Sequence, residues 1–467
     1  MRICLVNTNR IKPPIAPIGL DYVAEALNAS GHHVEVLDLC WADDPSSEIA
    51  GFFDKKSFGL VGITLRNTDD CAYATRQSFL GEFADMVNTV RKHTDAVIVL
   101  GGVGFSIMPE QVLGLCRADA GIKGEGEFAL AQLAERMERK KQWIDIPGLI
   151  WSEDGRWYHN IPANSLPLPL MSRSWVDNRR YFNEGGQIGI ETKRGCSGRC
   201  IYCADPIAKG RNVRTRSPKD VVYELERLLD LGIDCFHICD SEFNMPEWHA
   251  VEVCREIIRR DIKPRWYAYC SPVPFSRELA YLMHRAGCAG INFGVDSGDE
   301  MMLKRLKRDF TRKDIMNAAR WCREAGISVM FDLLLGSPGE TEDSLIRTIE
   351  FMRQVEPDRA GVSAGIRVYP GTELADMVMQ KEKGLTGGKG IDPFFFIEPE
   401  VAPFIFHMLD DIIGNDRRFF FFDPARPDRN YNYSANQVLI EAIHKGYRGA
   451  YWDILRRIGD DPHSFGK

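Results

Sequence analysis

The sequence predicts an α/β protein with an N-terminal doubly wound, Rossmann-like sheet, then a partial (β/α)6 barrel, then an α+β C-terminal extension. Three observations lead there. Short apolar runs alternate with helical periodicity through residues 1–140, the alternation restarts at Gln187 for six further strand and helix units, and after residue 385 it gives way to aromatic clusters. The 467 residues suffice for several cores, and a net charge of -7 with 44% hydrophobic residues reads as globular. No basic block exceeds a few residues, which argues against a nucleic acid partner. No apolar stretch reaches the roughly 18 residues that would suggest a membrane span. The start, MRICLVNTN, reads as a strand and polar turn with no charged-then-apolar leader, so the expected location is cytoplasmic.

In chain order, ICLVN (3–7) is a strand, the loop KPPIAPIG follows, 20–29 has helical spacing stopped at Ser30-Gly31, and VEVLDL (34–39) alternates into a second strand. The unit repeats with GLVGITL (59–65), a helix over 75–92, AVIVLGG (96–102), a short helix PEQVLGL, AGIKGEGE, and a helix over 127–138. In such a sheet a ligand binds beyond the carboxyl ends of the strands. Those ends carry Pro17, Arg66, Asn67, Gly101, Gly102, Gly104, Phe105, Gly124 and Glu125, the glycines permitting close backbone approach to a flat or anionic ligand. Residues 141–186 hold four tryptophans and a turn EDG, a linker that packs and contains a short hairpin.

The second series places strands at 189–194, 234–243, 264–270, 290–296, 328–336 and 360–369, with helices between them. Asp240, Ser241, Asp296, Ser297, Asp332, Arg367 and Tyr369 fall within or close the strands, at the edge where a barrel does its chemistry. The first strand runs into ETKRGCSGRCIYCAD (191–205), where Cys196, Cys200 and Cys203 crowd one loop. Soft thiolates select zinc, copper or iron-sulfur centres. A structural zinc wants a fourth ligand, yet the next cysteine is Cys235, inside an apolar run. Three ligands with one missing is the pattern of a centre that leaves a position open. The other cysteines of the 13 show no regular spacing and read mostly as small buried hydrophobes. Phe419 to Phe422 read as an inner strand or a wedge, and the tail with Asn430, Tyr431, Asn432, Tyr433 and Asn436 as a closure of the barrel's open side that supplies substrate contacts.

The CxxxCxxC triplet with Tyr202 before its last cysteine resembles the radical S-adenosylmethionine enzymes. The resemblance implies a [4Fe-4S] cluster on Cys196, Cys200 and Cys203 with an open iron for S-adenosylmethionine, which Tyr202, Asp240, Ser241, Asp296, Ser297, Asp332, Arg367 and Tyr369 would contact. PPIAPIGLDYVAEALNASGHHVEVLDL, VGITLRN, VLGGVGFSIMPEQVL and DAGIKGEGEFAL resemble the cobalamin-binding domain that precedes the cluster domain in one large group of these enzymes. The DxHxxG motif, whose histidine binds cobalt from below in related domains, is absent, which leaves the lower axial ligand open. The implied domains are a cobalamin-binding domain (1–140), a linker (141–186), a radical S-adenosylmethionine barrel (187–385) and a capping extension (386–467). The implied activity is methylation of an unactivated carbon of a small molecule, lipid or peptide, with a flavodoxin or ferredoxin as electron donor. Alternatives are ring contraction, cyclisation, sulfur insertion or non-radical methyl transfer on the same scaffold, and a non-catalytic sensor.

Overall fold

The computed structural model describes residues 1–163, 168–379, 384–388, 391–421, 433 and 436–460; Asn430, Tyr431 and Asn432 of the expected closing tail lie outside them. Two seven-stranded sheets organise the chain. The first contains β1 (Arg2–Asn7), β2 (His33–Asp38), β3 (Leu60–Thr64), β4 (Val97–Gly101), β5 (Ala120–Ile122), β6 (Leu149–Glu153) and β7 (Arg156–His159), in the order β2-β1-β3-β4-β5-β6-β7. β1 to β5 are parallel, and β6 and β7, the hairpin of the linker, extend the sheet antiparallel. The chain leaves β1 for β2 on one side and returns to β3 on the other, so the topological switch lies between β1 and β3. Ile3, Cys4, Val6, Leu60, Val61 and Ile63 are almost wholly buried, as strands covered by helices on both faces require.

The second sheet is built from β8 (Ile188–Ile190), β11 (Cys235–Ile238), β12 (Arg265–Cys270), β13 (Cys288–Asp296), β14 (Ser328–Leu335), β15 (Arg359–Ala364) and β19 (Phe419–Phe421). All its pairings are parallel, β8 and β19 form its two edges, and the barrel stays open between them. Of the two readings of the phenylalanine run, the strand is the one observed, since Phe419 to Phe421 pair with Ala360 to Val362. β9 (Lys193–Arg194) and β10 (Arg214–Thr215) form a ribbon flanking the cysteine loop, while β16 (Ile366–Arg367), β17 (Leu385–Thr386) and β18 (Phe395–Phe396) make a small antiparallel sheet. The expected strand over 360–369 is therefore broken in two. Gly365 adopts φ +89°, which turns the chain out of the barrel.

The two sheets are clamped by buried charge. Arg173 of the linker donates to Asp21 on the helix Ile18–Ala29 (2.7 Å) and to Glu224 on the helix Pro218–Asp230 (2.6 Å), and Asn178 Oδ1 accepts from it at 3.0 Å. Arg216 holds the other oxygen of Glu224 at 2.7 Å, and Tyr22 donates to the same carboxylate at 2.9 Å. Burial alone would raise the Glu224 pKa, but the two guanidiniums hold it below the usual carboxylate range. Among the described residues no helix is long and apolar enough to cross a membrane.

Candidate active site between two sheet edges

The loops that end β8 and β9 carry the cysteine triplet, and the clamp turns the carboxyl edge of the first sheet toward that of the second. Cys196, Cys200 and Cys203 are half-buried on the stretch between β9 and the short helix Asp205–Lys209. A Cβ on Gly198 would stand 3.3 Å from the Cys196 Sγ and 3.9 Å from the Cys200 Sγ, so both thiols turn to the same side of the loop. Burial pushes the Cys200 thiol up to about 11 and Cys203 up to about 12, so taking up a metal centre here would release protons. Arg308 Nη1 donates to the Cys200 Sγ at 2.6 Å. Soft ligands, an unshared side and a cationic donor suit a cluster of iron and sulfide.

Beside the triplet, Tyr202 donates to Asp296 Oδ2 at 2.7 Å, and Arg308 Nε lies 3.3 Å from the same oxygen. Asp296 ends β13 with φ +64°, a conformation in the left-handed region that non-glycine residues enter rarely. Ser241 donates to Asp205 at 2.5 Å. Asp332 on β14 faces the barrel interior next to Asn292, and burial pushes its pKa up to about 7. Arg367 pairs with Asp69 of the first domain at 2.8 Å, and the Tyr369 hydroxyl lies 3.0 Å from the Cys71 Sγ.

Several expected contacts face elsewhere. Asp240 is buried and spent on the backbone of Thr192 (2.8 Å) and the ammonium of Lys193 (2.9 Å), where it fixes the strand leading into the cysteine loop. Ser297 is fully buried against Thr348 Oγ1 at 3.0 Å. Phe105 lies in the core of the first domain, its ring filling the space where a Cβ on Gly121 would stand 2.0 Å away. Gly104 serves packing too, since a Cβ there would come within 3.1 Å of the Leu65 and Asn67 backbone. Each reads as a strand-end residue in the sequence, and burial decides its role.

The first sheet's edge holds two cavities. One of about 180 Å³ runs between β1, β3 and β4 and the helices Ile18–Ala29 and Gly126–Glu138, with apolar walls that include Leu20, Val99 and Leu130. Gly19 and Gly101 open onto it: a Cβ on Gly19 would meet nothing within 4 Å, and one on Gly101 only the Ile122 carbonyl at 4.0 Å. Its mouth is polar, where Glu125 pairs with Arg214 and lies 3.9 Å from Arg194. Burial raises the Glu125 pKa. Pro17 starts the first helix, and Gly124, at φ +88°, turns the chain beside Pro162. The second cavity, about 320 Å³, is lined by Thr8, Asn9, Arg10, Lys12, Arg66 and Asn67 among others. Asn9 Nδ2 is buried there without a partner among the described residues. Arg66 donates to Asn67 at 3.2 Å and meets no carboxylate among the described residues, and burial lowers its pKa. An apolar slot beside a polar shelf, both on the switch-point edge, fits a large amphipathic cofactor with an inserted tail.

Sequence reasoning missed three groups here, and a fourth, Glu242, is read from the sequence only as one of the residues that close the second barrel strand. Arg308 sits in a basic run, 108 residues from Cys200, so nothing local announces their contact. Lys193 and Glu242 flank the expected residues; Glu242 Oε2 is buried without a partner among the described residues, and burial pushes its pKa up to about 7. His237 on β11 points inward its Nδ1, which has no partner among the described residues, and burial lowers its pKa to about 4, so it stays neutral. Alternation along β11 could have flagged His237, since a polar residue between buried Phe236 and Ile238 faces the barrel interior.

Residues 190–352 match the family model of the Radical SAM superfamily, and residues 5–134 match that of the B12 binding domain. The tryptophan 2-C-methyltransferase of Streptomyces laurentii is 32% identical, over 96% of this chain and 95% of that protein. A solved structure of the radical S-adenosylmethionine methyltransferase TsrM from Kitasatospora setae, with tryptophan substrate and a SAM analog bound, superposes with a TM-score of 0.90 at 30% identity. Another of the same protein, with cobalamin and a [4Fe-4S] cluster bound, gives 0.88 at 28% identity. Both cover 98% of this chain and 97% of that one. The two-sheet architecture thus recurs along the whole chain, which belongs to the cobalamin-binding radical S-adenosylmethionine enzymes as one of their methyltransferases.

Proposed function

We propose that the chain methylates a ring carbon of a small aromatic molecule, tryptophan or a close indole relative, with S-adenosylmethionine as methyl source and cobalamin as carrier. The observation that carries the substrate half is the full-length likeness to a tryptophan 2-C-methyltransferase. Of the substrate classes the sequence left open, small molecule, lipid or peptide, the first is the one it favours. Cys196, Cys200 and Cys203 would hold the cluster, and the slot lined by Leu20, Val99 and Gly101 would take the cobalamin tail. Bound, the cluster supplies single electrons and the cobalt a metal able to carry a methyl group.

What the chain contributes is placement. Arg308 would steady the sulfur of Cys200, and the Tyr202, Asp296 and Arg308 contacts would hold the loop rigid beside S-adenosylmethionine. Asp332, with its pKa near 7, could offer either a proton or a lone pair to a ligand hydroxyl or ammonium. Arg66 and Asn67 would face the corrin from the first domain. Exposed Arg199, Lys304 and Lys307 lie on or beside the cluster loop, a surface suited to an acidic one-electron donor such as flavodoxin or ferredoxin in the cytoplasm.

The test is anaerobic reconstitution with methyl-labelled S-adenosylmethionine and L-tryptophan. Label should appear on the indole; labelled product with no indole accepted, or none at all, would sink the substrate reading. A second expectation concerns the first domain. Gly102 has φ +99° and a Cβ there would meet the Leu65 carbonyl at 2.4 Å. Gly102→Ala should therefore cost about 1–3 kcal/mol and lower the cobalamin content of purified protein while leaving its iron unchanged. Wild-type cobalamin content and denaturation midpoint would contradict it.

A further inference from the structure

The first domain meets the barrel on both sides of the opening between β8 and β19. On the β8 side the Arg173 clamp is joined by Arg194 of β9, which donates to the buried Glu127 of the helix Gly126–Glu138 at 2.6 Å. On the β19 side, β15 leads through Gly365 into β16, and a buried ion pair makes the joint. Asp69, from the loop after β3, is 2% exposed, and Arg367 of β16 is 9% exposed. Arg367 Nε (2.9 Å) and Nη2 (2.8 Å) both reach Asp69 Oδ2. Each partner is also fixed within its own domain. Arg367 Nη1 donates to the carbonyls of Val368 (2.7 Å) and Phe394 (3.1 Å), and the Tyr369 ring lies 4.6 Å from the guanidinium. Asp69 Oδ2 accepts from Thr68 Oγ1 at 2.8 Å, and its Oδ1 accepts from the Cys71 backbone at 3.0 Å. Farther along the same loop Tyr73 lies over Gly365, where a Cβ would stand 2.7 Å from its ring.

The pair is tied directly to the polar shelf of the first sheet. Leu65 donates to the Gly101 carbonyl at 2.8 Å, and Gly104 donates to the carbonyls of Leu65 and Arg66, both at 3.0 Å. The ends of β3 and β4 therefore form one unit with Arg66 and Asn67, and Asp69 follows Asn67 by two residues. We infer that Arg367 and Asp69 are positioning residues for methyl transfer: the pair sets the separation between the cobalamin-bearing edge of the first sheet and the cluster edge of the barrel. Without it the β8 side keeps its charged contacts and becomes a pivot, and the shelf is free to swing away from the barrel. Group transfer depends steeply on such spacing, since a misplacement of ~1 Å can cost about a hundredfold in rate. Stability is a weak reason to keep the pair, because well-packed apolar residues of similar volume often replace a buried ion pair without loss. The inference rests on the cobalamin and S-adenosylmethionine of the reading above and not on its indole substrate.

The experiment uses reconstituted holoenzyme with a one-electron chemical reductant, methyl-labelled S-adenosylmethionine and no acceptor, and it reads the label passed to bound cobalamin. Asp69→Asn keeps the side-chain shape and leaves the Arg367 cation unpaired. Asp69→Asn combined with Arg367→Met leaves no charge stranded. Both variants should retain wild-type iron and cobalamin and slow label transfer roughly tenfold to a hundredfold, with the half-saturating concentration of S-adenosylmethionine unchanged. Hydrogen exchange at the backbone amides of residues 66–79 should quicken in both. The urea midpoint should fall in the single variant and return toward wild type in the double one, so that stability recovers and transfer does not. Transfer at the wild-type rate in either variant overturns the inference, as does a raised half-saturating concentration, loss of cobalamin from both variants, or slow transfer with unchanged exchange. Wild type that passes no label to cobalamin overturns it as well. Label on cobalamin and on no indole removes only the substrate proposed above.

Discussion

Cys200→Ala should bring the iron of anaerobically reconstituted protein from about four per chain to below about one, and methyl transfer should vanish with it. The cluster loop has three thiols and the next cysteine, Cys235, is buried in β11 with 1% exposure, so the loop holds no spare ligand. Loss of one of three anchors leaves two sulfurs on the loop and strands the Arg308 guanidinium that donates to the missing one. Cobalamin content should persist, because its slot is built from β1, β3, β4 and their helices, on the other sheet. Cys235→Ala is the matched control and should keep full iron. The ligand assignment fails if the Cys200 variant retains about four irons, or if the Cys235 variant loses them.

How far the sequence reaches depends on the range of the interaction read. Strands and helices repeat with local periods, so both parallel sheets and the cysteine loop are legible from apolar spacing and from three closely set residues. Contacts between distant segments leave no such period. Arg308 meets Cys200, Tyr73 lies on Gly365 and Arg173 joins Asp21 to Glu224, and each partnership forms only when the two sheets face each other. The strand expected over 360–369 failed at Gly365, where the need for positive φ outweighs the apolar run on either side, and those expected over 189–194 and 234–243 are also shorter than drawn. Which strand-end polar residues face a cavity depends on neighbours: Asp240 is consumed by Lys193 and Thr192, while Asp332, the fifth residue of β14, lies in the interior beside Asn292.

Arg173→Ala should destabilise the protein by about 3–5 kcal/mol. Arg173 is 1% exposed, and its removal leaves Asp21 wholly buried with one fewer cation and Glu224 dependent on Arg216 alone. Breaking one partner of a buried pair costs more than the pair is worth, because the surviving charge keeps its desolvation penalty. Arg173→Met should not rescue, since it restores volume and not charge. The effect has a sign in pH. Glu224 is held below its unfolded pKa of about 4.3 in the native protein, so its contribution is complete above that value and is lost as pH falls through the depressed folded value. The variant lacks much of that contribution, so the gap between wild type and variant in urea unfolding should be widest near neutrality and should narrow as the medium is acidified. A gap under about 1 kcal/mol at neutral pH would place the pair with ordinary surface bridges, and a gap that widens in acid would reverse the assigned sign.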